Sequence, residues 1–205
     1  MPGREPFEMS AVAPLIVAMD VYDPELVEHG VRVESYAVDL AEALGWEHER
    51  VATLRMGAVL HDVGKINVRP EVVAKATALT SEETVELRAH PVEGMWLIGA
   101  VRSLVDVFPY VLFHHERWDG AGYPTRRAGE GIPVEARLLA IVDAFDAMQS
   151  ERPYCRALDR EEALDEIRRG AGSQFDPSLC EAFVDVFGHP PRRDGPLAVA
   201  GAGTA

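Results

Sequence analysis

Cysteine is scarce in this 205-residue chain, which holds only Cys155 and Cys180, with no CxxC spacing and no secretory leader pattern. The pair fits free thiols in a reduced, cytoplasmic setting. Excess positive charge is also missing. The formal net charge is −14, which argues against a nucleic-acid duplex as partner, because phosphate binding needs a clustered basic surface. An anionic substrate must therefore find local Lys, Arg or metal charge. Long apolar runs are absent too. The most apolar early stretch, 11–18, contains Pro14 and is followed by Asp20. It falls far short of the roughly 20 residues a spanning helix needs, so it reads as a core-packing helix and no membrane partner is expected. No segment keeps strand-like alternation for long, and no internal repeat occurs.

What remains is helical periodicity with legible ends, in a length that suits one domain. Asp23-Pro24 predicts an N-cap with Pro at the first helical position. The helix it opens runs to about Leu44, stops at Gly45 and buries Leu26, Val33, Ala37, Leu40 and Leu44. A second helix over about 49–62 ends near Gly64, a residue suited to a left-handed C-terminal turn. A short turn of helix is expected at 70–74, and Thr80 with Glu83 predicts a capping box opening a helix that carries His90. Further helices are expected over 103–116, with Pro109 near the start, then 133–150, 160–169 and 177–187. After His189 the sequence PPRRDGPLAVAGAGTA has no amphipathic period and reads as a disordered tail. The expected organisation is a lead-in helix at 1–22, one domain at 23–188 and the tail at 189–205. The class is all-α.

His29, His61, His90, His114 and His115 all fall at or near expected helix ends or faces. A lone histidine has ordinary roles, but these keep acidic company. His61 and Asp62 end an apolar helix in GAVLHDVGK, where an unpaired carboxylate would be strongly disfavoured and a cation would relieve it. Asp143 poses the same problem in RLLAIVDAFDAM; it either pairs with an Arg or backbone group or binds metal. Imidazole with carboxylate suits iron, manganese or zinc, and so many donors exceed the needs of one ion. Glu25 lies four residues before His29 on the same helix face. It is either a further ligand or an acidic residue favoured by the helix N-terminus. His114 and His115 sit about 100° apart on a helix, so they would address different ions or different faces of one cluster.

Taken in order, His29, His61-Asp62 and Asp143 resemble the metal-binding pattern of the HD-domain phosphohydrolases. HDVGK, AHPVEG, FHHERWDGAGYP, IVDAFDAM and SERPY together look like the HD-GYP subfamily, over residues 20–187. The resemblance implies a helical bundle with a GYP loop beside a metal-centred pocket, and hydrolysis of cyclic di-GMP to pGpG, with or without a further step to GMP. It implies Glu25, His29, His61, Asp62, His90, His114, His115 and Asp143 as ligands of two or three divalent ions, iron or manganese, with Asp62 bridging and catalytic. Lys65 matches the lysine at the scissile phosphate, and Gly122-Tyr123-Pro124 the naming loop, with Tyr123 at the substrate. Arg152 matches a basic substrate contact, but the next basic position of the family holds Cys155 here; either Arg156, one residue later, substitutes for it or affinity is weaker.

Two ions would lower the pKa of a water and stabilise charge on the attacking and leaving oxygens. Lys65 would neutralise a non-bridging oxygen, or else be an ordinary helix-end cation. Two other readings compete: a catalytically weak interaction module whose GYP loop docks a signalling protein, and a hydrolase of another cyclic dinucleotide or nucleotide. Residues ahead of Asp23 are too few for a sensor region, so regulatory input is expected through a partner, a homodimer interface or expression level.

Overall fold

Asp23 makes the first corner of the chain. In the computed structural model, which describes residues 9–151 and 156–188, helix α1 (Met9–Tyr22) ends beside it, and its carboxylate accepts the Glu25 backbone N–H at 3.1 Å. That bond caps α2 (Pro24–Ala43), while Pro24 occupies the first turn, where its missing N–H leaves nothing unsatisfied. Helix α1 runs through Pro14 with Val12 and Met19 fully buried, whereas Val17 and Val21 are exposed. Helix α2 buries Leu26, Val33, Ala37 and Leu40 as its stripe predicts. Leu44 does not join them. It is the C-cap and 37% exposed, because the helix has already ended there, with Gly45 following at φ 72°.

Helix α3 (His48–Leu60) ends two residues sooner than expected, and Asp62 caps a 3-10 turn over Val63–Asn67. Gly64 is not the left-handed stop that its position implied. It lies inside that turn, and a Cβ there would meet the His90 carbonyl oxygen at 2.0 Å and the Gly94 nitrogen at 2.5 Å. The residue is glycine because two backbones touch.

Helices α4 (Pro70–Val73) and α5 (Ser81–Arg88) follow, the latter with the expected Thr80/Glu83 capping box. The expected single helix through His90 is in fact two, since Ala89 both ends α5 and precedes α6 (His90–Gly99). Pro91 is the cause: it has no N–H for the Leu87 carbonyl and its ring crowds that oxygen. The helix expected over 103–116 is likewise divided, into a 3-10 turn (Arg102–Val107) and α7 (Phe108–Phe113), with Pro109 in the first turn of α7. His114 is the C-cap of α7, and His115 lies beyond it, so a regular helical angle does not relate the two rings. Helices α8 (Val134–Gln149), α9 (Arg160–Gly170) and α10 (Pro177–Phe187) match expectation within a residue or so. No strand occurs among the described residues beyond an isolated Ala171–Phe175 bridge. Residues 1–8, Arg152, Cys155 and the expected tail at 189–205 lie outside the described residues.

Two apolar clusters carry the packing. One joins α2, α3, α8, α9 and α10 around Leu40, Leu54, Phe145 and Phe183. The other joins α1, Leu26, Leu60, Ile98 and Val111. Phe145 is fully buried and edge-on to Tyr36 and Phe183; truncating such a side chain to Ala costs about 3–5 kcal/mol. The histidines stand on the seam between the clusters. His29 lies between Leu26 and Val33, and His61 between Ala58 and Val63, so each is flanked by a residue of either core.

Candidate metal centre

His61, His90 and His114 are all but fully buried, and each ring spends its Nδ1 on its own chain three residues back. His61 Nδ1 lies 2.7 Å from the Ala58 carbonyl, His90 Nδ1 2.7 Å from Leu87 and His114 Nδ1 2.9 Å from Val111. A carbonyl only accepts, so Nδ1 holds the proton in each case, and the neutral ring turns an Nε2 lone pair inward. For His90 the carbonyl used is the one that Pro91 leaves without its helical donor.

The inward atoms form two adjoining groups. Ligand atoms of Asp62, His90, His114 and His115 lie within 4.8 Å of one another, as do those of His29, His61 and Asp143. Asp62 faces both. Its Oδ1 is 3.2 Å from His90 Nε2 and 3.8 Å from His114 Nε2, and its Oδ2 is 3.5 Å from His61 Nε2. Asp143 Oδ1 is 3.1 Å from His29 Nε2 and 3.9 Å from His61 Nε2. His61 Nε2 and Asp62 Oδ1 are buried without a hydrogen-bond partner. Leaving such groups unsatisfied costs about 1–3 kcal/mol each, more for a charge. Orphaned inward atoms, fixed tautomers and a mixed imidazole–carboxylate donor set are what divalent transition ions require, so these residues fit the implied metals.

The electrostatics follow from the same packing. Burial opposes ionisation of Asp62, yet Lys65 and the imidazoles outweigh it and hold the carboxyl well below the usual range. Asp143 is likewise kept ionised against burial by His29 and His61. Burial pushes His61 and His114 down, and His115, beside His90, down to about 3. Neutral imidazoles and ionised carboxylates are the protonation states that bind metal.

Two of the expected residues stand apart. Glu25 is largely exposed, and its Oε1 is 2.7 Å from Arg32 Nη2; it belongs to neither group of donors, although it lines the same cavity. Arg156 turns its guanidinium to Glu162, with both carboxylate oxygens at 2.9 Å, and does not line the cavity. Lys65 does line it, with Nζ 2.5 Å from Asp62 Oδ2.

One participant is absent from the sequence-based expectations. Asp146 Oδ2 lies 2.7 Å from His29 Nδ1, and Arg32 Nε donates to its Oδ1 at 2.9 Å. The pattern that could have found it is a pair of i,i+3 steps, His29/Arg32 on α2 and Asp143/Asp146 on α8, each sharing one helix face. Asp146 orients His29 and leaves its Nε2 for the centre.

The cavity beside the donors measures about 1130 Å³. Its rim includes the loop after His115, which folds back on itself. Tyr123 N–H donates to the His115 carbonyl at 3.2 Å, and the Tyr123 ring stacks on His115 with centroids 4.8 Å apart. Gly120 has φ 78°, and a Cβ on Gly122 would strike the Arg117 nitrogen at 2.4 Å. Glu116, buried at the cavity wall, closes the loop: its Oε1 accepts from Thr125 N–H at 2.6 Å and Thr125 Oγ1 at 2.7 Å. Asp119 shapes the turn, accepting from Ala121 N–H and pairing with Arg117.

No described helix is long and apolar enough to cross a membrane. The chain is similar to the cyclic di-GMP phosphodiesterase response regulator RpfG of Xanthomonas campestris, 39% identical over 155 residues, or 75% of this chain and 41% of that protein. It is also similar to a 3'3'-cGAMP-specific phosphodiesterase 2 of Vibrio cholerae, 31% identical over 82% of this chain and 33% of the relative. It thus spans about a third to two fifths of the length of these relatives. Among solved structures, Bd1817, an HDG"Y"P protein from Bdellovibrio bacteriovorus, shares the fold, with a TM-score of 0.65 and 20% identity over 89% of this chain and 60% of that one. A protein-family model described as HD domain matches residues 15–179. With the His–Asp donors buried on the seam of an all-helical bundle, this match shows that the chain belongs to the HD-domain family.

Proposed function

We propose that this chain is the hydrolytic domain of a cyclic-dinucleotide phosphodiesterase that opens cyclic di-GMP to pGpG. The observation that carries the reading is Asp62, whose two oxygens face separate groups of inward donors. Residues so placed would hold two divalent ions, iron or manganese as the family resemblance implies. Ions held there supply Lewis-acid activation of water and charge neutralisation at phosphorus. The protein's own side chains do the rest. Lys65 sits on Asp62 at the cavity edge, where its ammonium can pass to a non-bridging phosphate oxygen. Asp146 and Arg32 hold His29 in one tautomer. The loop closed by Glu116 and Thr125 presents Tyr123 to the bound dinucleotide.

A second reading, hydrolysis of a mixed cyclic dinucleotide, is favoured by the similarity to a Vibrio cholerae relative named as 3'3'-cGAMP-specific. Incubating the metal-loaded protein anaerobically with cyclic di-GMP or with 3'3'-cGAMP, and resolving products by chromatography, separates the two. Linear pGpG from cyclic di-GMP at the faster rate supports the proposal. No linear product from either, with metal content confirmed, defeats both.

A further inference from the structure

Five cationic side chains line the cavity among the described residues: Arg32, Lys65, Lys75, Arg88 and Arg117. Four already have carboxylate partners: Arg32 with Asp146 and Glu25, Lys65 with Asp62, Lys75 with Glu83, and Arg117 with Asp119. Arg88 has no carboxylate partner among the described residues. It stands in the last turn of α5, exposed, with its guanidinium 5.1 Å from the centroid of the Tyr123 ring. That ring is the one stacked on His115. The arginine is therefore on the cavity wall, next to the donor cluster but not part of it.

A cyclic dinucleotide carries two phosphodiesters, and only one can lie at the metal donors. The other remains an anion in a chain of net charge −14 and needs its own counter-charge. Guanidinium suits this task, because it offers paired N–H donors to phosphate oxygens and holds its charge at any working pH. With no ion pair among the described residues, Arg88 has none of these to break before it does so. Contact with the Tyr123 ring also limits its motion, which lowers the ordering needed on binding.

Resting on the function proposed above, we infer that Arg88 binds the second, non-reacting phosphate of the cyclic dinucleotide. Arg88→Ala should raise KM for cyclic di-GMP by about tenfold to a hundredfold, the size expected for a lost charge-assisted hydrogen bond. Turnover at saturation should change little. The wild-type KM should rise with salt more steeply than that of the variant. Bis(p-nitrophenyl) phosphate, which has one phosphate, should show a far smaller KM effect.

Equal losses on both substrates would mean that Arg88 acts through Tyr123 or the metal ligands, and would overturn the assignment. So would an unchanged KM for cyclic di-GMP, or a raised KM with an unaltered salt dependence, which would indicate a base contact. If the wild type hydrolyses neither cyclic dinucleotide, the proposed function fails separately. Calorimetric titration of cyclic di-GMP into wild type and Arg88→Ala then decides the Arg88 question: tighter, more salt-sensitive binding to wild type supports it, and equal or absent binding overturns it.

Discussion

His90 Nε2 and His114 Nε2 face each other across 3.3 Å, while the Nδ1 of each ring is bonded to a backbone carbonyl. In their neutral forms these are two lone pairs pointed at one another, an arrangement that repels unless a cation lies between or beside them. Changing either histidine to Ala should therefore remove at least one equivalent of metal while the helical circular dichroism is kept. Elemental analysis of protein purified with iron or manganese is the measurement. Glu25→Ala should leave the count unchanged, since its carboxylate is held by Arg32 outside both donor groups. A full equivalent lost in that variant would instead assign Glu25 to a third ion.

Asp146 contributes through His29. Replacing it with Asn keeps its shape but removes the charge that fixes the His29 proton at Nδ1 and engages Arg32. Partners of this kind typically change metal affinity about 10–100-fold. Asp146→Asn should show that loss when a chelator competes for the metal, with stoichiometry unchanged at saturating metal. Affinity within about twofold of wild type would reduce Asp146 to a buried structural pair between α2 and α8.

Much of this is legible in the sequence, because caps and prolines act locally. Asp23-Pro24, Thr80/Glu83 and the stripe of α2 needed only their neighbours in sequence. Most residues of the two donor groups stand out in the sequence because HD, HH and an Asp inside an apolar helix are hard to explain by packing. Other features depended on parts of the chain distant in sequence. Gly64 looked like a helix stop, yet its reason is the His90 backbone 26 residues on and invisible to periodicity. Leu44 continued an apolar stripe past the point where the helix ended. Asp146 could be read as a solvated face residue until α8 met α2. Glu25 shares a helix face with His29 through its i,i+4 step, and Arg32 on the same helix pairs with it.

Metal-stripped protein should have a stability maximum near neutral pH. Burial disfavours the His29 cation, but hydrogen bonds to Asp143 and Asp146 prevail and raise it to about 9. Its folded value lies above the unfolded value of about 6.5, so its stabilisation is full below that pH and is lost as pH climbs through about 9. His61, His114 and His115 are shifted down by burial. The unfolded chain then takes up protons first, and stability falls below pH ~6.5 by up to about 1.4 kcal/mol per pH unit for each histidine. Urea denaturation of chelated protein at about pH 5.5, 7 and 9.5 should show the middle value highest. A steady rise across the three would remove the His29 pair as a stabilising element.

Gly64 links stability to the metal centre most directly. A methyl group there would sit 2.0 Å from the His90 carbonyl oxygen and 2.5 Å from the Gly94 nitrogen, both backbone atoms that no rotamer change can move aside. Overpacking of a tight site costs about 1–3 kcal/mol and sometimes more; a clash with two main chains belongs at the upper end. Relief requires the 3-10 turn after Asp62 and the start of α6 to separate, which would carry His90 away from Asp62 Oδ1, now 3.2 Å from its Nε2. Gly64→Ala should thus lower the urea midpoint and weaken metal binding together. Gly131→Ala is the matched control, because nothing lies within 4 Å of a Cβ there. If Gly64→Ala lowered stability yet bound metal with wild-type affinity, the turn and the His90 helix would be shown to move apart without disturbing the ligands, and the rigid coupling inferred from their backbone contact would be wrong.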